Sequence, residues 1–600
     1  MTTTMTMTIQ TTRTFLAALT VSTTLACSAS LAPAQPQTSS TSPHDLSKFL
    51  INYAEDRNSL DRFYPRYWSE QRLERLEAFF KDSTTTLAAL DFEALDQAGK
   101  IDYLLLKFRH EYELAHLSTD HAKLAEMTPL APFRANMLKL EESTGRMEPV
   151  DARAAADALA AFPEAIKAAK TRVEEGRKAD TDTTRAADAL KVSPVLARRA
   201  AGLLTMLRAS MYNWYTFHNG YHPEFSWWVH KPFEEAIAAL DDYTNFLRKD
   251  VASIKGEPDD PLVGDPIGRD GLLLDLRNEM LLYTPEELIA IGEQEFAWCE
   301  SEMKKAAAEM KFDDWHKALA KVKLHNVPPG EQDDLVAKQG REIVKFLKDR
   351  DLITIPPLAE ETWRTEMSSL ETQRYLPFAA YNEQAMTIGY PTGAMKHADK
   401  LMSMRGNNIH FTRLVTPHEL IPGHHLQIYM ARRERPERSI FSTPFFVEGW
   451  ALYWEMVLFN TDWPRGPEDR IGMLFWRMHR CARIIVSLKF HMEQMTPKEM
   501  IDFLVERVGH EKLTATSEVR RFIGGEYSPL YQCGYMIGGL QLRALRQQLV
   551  EPGTPGTKLL TSKAFHDQLL TYGPIPIEMV RASLLNTPLT RDWQPGWRFQ

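Results

Sequence analysis

The chain has 600 residues, 44% apolar and 25% charged, proportions of a folded soluble protein that exclude a disordered chain and a polytopic membrane protein. Its 71 Lys and Arg against 80 Asp and Glu give a formal charge of -9, which leaves no basic surplus for a phosphate backbone and excludes nucleic acid as a partner. Four cysteines, Cys27, Cys299, Cys481 and Cys533, are scattered without a CxxC pair, so any metal falls to histidine and carboxylate.

After a Thr-rich start with one cation, Arg13, the segment from Phe15 to Ala26 is mostly apolar but shorter than the ~20 residues of a membrane-spanning helix. With Ala32-Pro33-Ala34 as a small-residue cleavage site, residues 1–34 read as a signal peptide and 35–44 as a flexible leader. The expected location is therefore periplasmic or extracellular. Lipid anchoring through Cys27 is the less favoured reading, because Thr24 stands where a lipidation signal carries an aliphatic residue. No later run is long and apolar enough to span a membrane.

Residues 45–600 read as one mostly α architecture with little β, its chemistry in about 380–600. In the Ala-rich stretch from Asp151 to Ala179, Phe162, Ile166, Ala169 and Val173 recur at spacings of four and three, which predicts one amphipathic surface helix. Pro, Gly and Asp gather around Gly256 to Gly268 and Asn326 to Gly330, without the look of interdomain linkers. Thr284-Pro285-Glu286-Glu287 and Thr496-Pro497-Lys498-Glu499 each place Thr at a helix cap, Pro in the first turn and Glu three residues on.

The strongest chemical signal is the cluster Thr416-Pro417-His418-Glu419-Leu420-Ile421-Pro422-Gly423-His424-His425. In the zinc-protease string H-E-x-x-H, two histidines one helical turn apart hold one metal and the Glu faces the water. Here the second histidine arrives late. On a regular helix His418 and His425 would sit about 10.5 Å apart along the axis, and His424 would be rotated by about 120°. Pro422 cannot donate to the carbonyl of His418, so the helix must bulge or break. Two absorbed residues make His424 the second ligand, the first expectation; three make it His425. The bland alternative is that Glu419 caps a helix, because Thr416 opens a third Thr-Pro-x-Glu string.

A catalytic zinc needs a third ligand and an open position. In Phe446-Val447-Glu448-Gly449-Trp450-Ala451-Leu452-Tyr453-Trp454-Glu455, Glu448 and Glu455 share a helical face among aromatics that make an unpaired carboxylate costly to bury. Glu448 is the expected third ligand and Glu455 the alternative ligand or site neighbour.

The string from His418 to Gln427, followed by E-G-W-A-x-Y-x-E at Glu448 to Glu455, resembles the bacterial DUF885 family, which is grouped with gluzincin-type metallopeptidases. Glu448-Gly449-Trp450-Ala451 is also similar to the E-G-F-A string of zinc aminopeptidases, whose Glu is a third ligand. Weaker likenesses follow at Arg483 and His491, at Tyr535 and Gly538, and at Phe565-His566-Asp567. Where the family often shows D-T-G before its histidine, this chain has Ser487-Leu488-Lys489, a departure that bears on His491. The resemblance implies a helical metallopeptidase-like scaffold enclosing a cleft.

Resemblance and geometry together imply one Zn2+ per chain on His418, His424 and Glu448, with Glu419 as general base and Tyr535, then His491, as donor to the oxyanion. The expected substrate is a peptide or small amide, hydrolysed by a metal-activated water. Arg413, Arg480 and Arg483 flank the site without revealing which end of a peptide is trimmed. The alternative is a noncatalytic peptide-binding protein on the same scaffold, for which the Ser487-Leu488-Lys489 departure speaks and the presence of Glu419 does not.

Overall fold

Helix is the dominant local structure, with three short strands among the described residues. The structure, a computed structural model, describes residues 45–178, 186–256, 260–373, 376–383, 385–525, 527–551 and 559–600. The segments read as signal peptide and leader, with Cys27, lie outside the described residues.

The stretch after Asp151 forms two helices rather than the single one expected, α1 (Ala152–Ala160) and α2 (Phe162–Gly176). Asp151 caps the first, its carboxylate accepting from the N–H groups of Arg153 and Ala154 at 3.0 Å. Pro163 has no N–H for the carbonyl of Leu159, four residues back, so the helix stops and restarts. Phe162, Ile166, Ala169 and Val173 are buried along α2, as their spacing requires.

The elements around the site follow in chain order: α3 (Pro285–Glu309), α4 (Gln332–Asp349), β1 (Thr365–Met367), β2 (Ala379–Tyr381), β3 (Met386–Ile388), α5 (Ile409–Glu419) and α6 (His424–Glu434). Then come α7 (Pro444–Phe459), α8 (Pro467–His491), α9 (Pro497–Phe503), α10 (Lys512–Ile523) and α11 (Tyr531–Leu549). The strands form a small sheet in the order β1-β3-β2, with Thr365 opposite Met386 in parallel and Ala379 opposite Ile388 in antiparallel. Residues 44–600 cluster as one unit, inside which the described parts of 256–267 and 326–330 are connections and Gly268 opens the helix Gly268–Asn278.

Thr284 and Thr496 open α3 and α9 with full capping boxes, each hydroxyl accepting from the Glu N–H three residues on and each Glu accepting in return. The third Thr-Pro-x-Glu string behaves differently. Thr416 lies inside α5 and donates to Gln339 Oε1 of α4 at 3.1 Å, while Asn408 caps α5. Glu419 is therefore no capping residue. Pro417 leaves the carbonyl of Arg413 without its helical donor, and the indole N–H of Trp463 donates to it at 3.2 Å.

Two glycines bring α7 and α11 together. A Cβ on Gly538 would lie 1.9 Å from the carbonyl oxygen of Phe445, and one on Gly449 would lie 2.7 Å from the backbone of Gly538. The helices meet main chain to main chain, and this contact brings Tyr531 and Tyr535 of α11 against Glu448 and the histidines. The third wall is α8, buried along nearly its whole length.

Candidate metal centre

The delayed histidine reaches its partner because the helix breaks. α5 ends at Glu419 and α6 begins at His424, joined by the turn Leu420 to Gly423. The N–H of Gly423 donates to the carbonyl of Pro417 at 3.0 Å. A Cβ at Gly423 would fall 1.7 Å from the carbonyl oxygen of His418, so only glycine fits where the turn folds back on α5. The carbonyl of Pro422 accepts from the indole N–H of Trp450 at 2.8 Å, which ties the turn to α7. The His418 and His424 rings end with centroids 4.9 Å apart and planes perpendicular.

Glu448 completes a three-sided cage. Its Oε2 lies 3.2 Å from His424 Nε2 and 3.6 Å from His418 Nε2. One ligand atom from each of the three residues lies within 4.8 Å of the others, and all three side chains are buried. An ion bound at about 2.0–2.1 Å holds tetrahedral ligands roughly 3.3 Å apart, which matches these separations. Glu448 Oε2 has no hydrogen-bond partner, as expected of an oxygen reserved for a cation. Two imidazoles and a carboxylate are also the donor set of borderline hardness that suits zinc.

Neighbours hold these ligands in their poses. Glu455 Oε1 accepts from His418 Nδ1 at 2.7 Å, which fixes the tautomer and leaves Nε2 with a lone pair toward the cage. The Tyr531 hydroxyl donates to Glu448 Oε1. Burial and the Glu448 charge push that phenol far up, so it remains a donor. Burial disfavours charge on His418, yet the nearby carboxylates of Glu448 and Glu455 outweigh burial and raise it to about 9. Burial also opposes charge on Glu448, but the two histidines hold its carboxyl well below the usual range. Both shifts describe a point where positive charge is favoured.

Glu419 follows His418 at the end of α5, 7% exposed, and its charge acts on the His418 ring. Tyr535 lies nearly parallel to that ring, 6.1 Å between centroids, and its hydroxyl has no hydrogen-bond partner among the described residues. His425 points elsewhere: Nδ1 is 2.9 Å from the Tyr381 hydroxyl of β2 and Nε2 is 2.7 Å from the carbonyl of Ala359. Both of its nitrogens are thus engaged outside the cage. His491, at the end of α8, makes no hydrogen bond among the described residues; the charges acting on it are Asp265 and Lys123, and burial lowers it to about 4. Ser487-Leu488-Lys489 continue α8, Ser487 toward the carbonyl of Pro529 and Lys489 toward Glu293.

Tyr531 is the neighbour that sequence reasoning missed. The four-residue spacing of Tyr531 and Tyr535, which places them on one face of α11, was the available signal. Arg521 and Glu518 of α10 were also missed. Glu518 Oε2 gathers Arg483 at 2.8 Å, Arg521 at 3.3 Å and His479 at 3.1 Å behind Tyr535.

The sequence profile of DUF885, described as a bacterial protein of unknown function, matches residues 56–584, a span containing the whole cage. A "putative lipoprotein of unknown function" from Shewanella oneidensis has a similar structure, with TM-score 0.64 and 16% identity over 90% of this chain and 100% of that one. The structure of a "putative lipoprotein" from Colwellia psychrerythraea is similar with TM-score 0.57 and 13% identity, over 90% of this chain and 98% of that one. At these identities the likeness concerns the fold. No curated protein matches the chain.

Proposed function

The chain belongs to the DUF885 family of bacterial proteins, and we propose that it is a peptidase that uses one zinc ion per chain to hydrolyse peptide bonds. The observation that carries this reading is the convergence of His418 Nε2, His424 Nε2 and the unpartnered Glu448 Oε2, with the free carboxylate of Glu419 next to the first ligand. A zinc ion there would supply Lewis acidity, lowering the pKa of water toward ~7 and polarising a carbonyl.

The chain's own groups supply the rest. Glu419 takes the proton of the attacking water on its carboxylate and passes it to the departing amine nitrogen. The Tyr535 hydroxyl, unpartnered and pushed up by burial and by Glu448, stays protonated and donates to the oxyanion as the carbonyl becomes tetrahedral. Glu455 keeps the Nδ1 proton of His418 in place, and Tyr531 keeps Glu448 turned toward the cage. His491 has no part in this scheme. The departure at Ser487-Leu488-Lys489 leaves the cage intact, so it lends little to a noncatalytic peptide-binding role.

Elemental analysis of protein purified without added metal, together with a peptide-library cleavage assay, tests the reading. About one zinc per chain with cleavage lost on chelation and restored by zinc is expected; full hydrolysis by verified metal-free protein overturns it. We also propose that the protein is exported. No helix of the described residues is long and apolar enough to cross a membrane. The names of the two similar structures lend weight to lipidation at Cys27. Mass spectrometry of the mature amino terminus separates a lipidated Cys27 from a free terminus at Gln35.

A further inference from the structure

Three arginines flank the cage in sequence, and their partners set them apart. Arg413 donates from Nη1 to Glu342 at 2.9 Å and from Nε and Nη2 to the carbonyl of Trp463 at 3.2 and 3.0 Å. Arg483 donates from Nη2 to Glu518 at 2.8 Å. Arg480 makes no hydrogen bond among the described residues, although its side chain is only 7% exposed. Its one ion pair, with Glu455 Oε1, is 3.6 Å long, and that oxygen already accepts from His418 at 2.7 Å. The Nε of Arg480 is buried without a partner, as are Nε and Nη1 of Arg483, but Arg483 is anchored through Nη2 whereas Arg480 has no hydrogen bond among the described residues, a costly state for an enclosed guanidinium.

The surroundings hold this group in place. Its guanidinium lies 4.8 Å from the centre of the Tyr535 ring and 5.1 Å from that of Trp476. The shared Glu455 oxygen sets Arg480 one carboxylate away from the first metal ligand. One extended residue spans about 3.3–3.6 Å, so a group docked on Arg480 lies one or two residues from a bond held at the cage.

Charge points to the group. Were a divalent ion held in the cage, it and Arg480, Arg483 and Arg521 would outweigh the carboxylates of Glu419, Glu448, Glu455 and Glu518 by one positive charge. A single carboxylate balances it, and carboxylate is the planar anion that a guanidinium grips with two parallel hydrogen bonds. We propose that Arg480 binds the free carboxylate at the end of a peptide, so that the protein removes one or two residues from carboxyl termini. This rests on the peptidase reading and specifies its substrates.

The test separates the two ideas. In the full-length zinc-loaded protein carrying Glu419→Gln to suppress turnover, calorimetry compares a short N-acetylated peptide as free acid and as amide. The acid is expected to bind about 10- to 100-fold more tightly. Adding Arg480→Gln should collapse that preference, and Arg480→Lys should retain part of it with zinc content unchanged. Equal binding of acid and amide by protein bearing Arg480 overturns the proposal, as does a preference that survives Arg480→Gln. If Arg480→Gln does not fold, Arg480→Lys decides, since an undiminished preference there also overturns it. Failure of the peptidase reading appears separately, as no cleavage of either peptide by the unmodified protein.

Discussion

Two carboxylates beside the same imidazoles have different partners, and the difference separates their roles. Glu448 touches both histidines and Tyr531, whereas Glu419 lies beside His418 with no donor of its own among the described residues. Glu419→Gln should therefore retain zinc and melting temperature while turnover falls by ~10²–10⁴-fold. Normal metal with undiminished turnover would shift the base role elsewhere, Glu455 first. His418→Ala should lose zinc by elemental analysis, whereas His425→Ala should keep it, because Tyr381 and the Ala359 carbonyl occupy that ring. Glu455→Gln retains the shape but not the charge behind His418 Nδ1, and a competitive chelator titration should show zinc affinity reduced roughly 10- to 100-fold. An unaltered affinity would leave Glu455 only a packing role.

At the scale of helices, the cage depends on how closely α7 and α11 approach. A methyl group at Gly538 meets the Phe445 carbonyl at 1.9 Å, so Gly538→Ala must push the helices apart. The expected cost is about 1–3 kcal/mol in denaturant unfolding, with weaker zinc binding as Tyr531 withdraws from Glu448. Gly202 offers the contrast. It sits in the helix Pro194–His218 with nothing near its missing Cβ, and Gly202→Ala should gain about 0.5–1 kcal/mol with zinc content unchanged. Equal effects of the two substitutions would show that the α7–α11 approach has no special importance.

Over the whole molecule, acid sensitivity follows from buried neutral histidines. Burial lowers His110, His491 and His566 to about 4 and His510 to about 3. In the unfolded chain each titrates near ~6.5, so their contribution is complete above that pH and is lost as pH falls through 6.5 toward 4. Every pH unit that separates a folded histidine from its unfolded value is worth about 1.4 kcal/mol. Glu279 works in the opposite direction: burial raises it to about 7, so its contribution is present below about 4.5 and is lost as pH rises through 7. The melting temperature should peak near pH 6–7 and fall steeply below 6. Scanning calorimetry from pH 4 to 9 checks this, and a flat profile between 7 and 4 would contradict it.

Helix content, the two capping boxes and the grouping of His418 with His424 were legible in the sequence, because each depends on spacings of three to seven residues or on one proline beside one glycine, and Glu448 was legible as a carboxylate set among aromatics. The same local reading merged α1 with α2 by giving the apolar stripe more weight than Pro163, and it left Thr416 as a possible cap. It preferred His424 over His425 without the means to settle the choice, which depends on how far the turn at Pro422 and Gly423 folds back and on β2 and Ala359 receiving the other ring. The contacts of Glu455 behind His418 and of Tyr531 on Glu448, and the lack of a hydrogen bond on Arg480, were decided by tertiary structure. They come from α7, α8 and α11, and their distances are set by a contact of glycine backbones and by the burial of α8. Local sequence specifies which groups a helix presents on a face; packing decides which other face they meet.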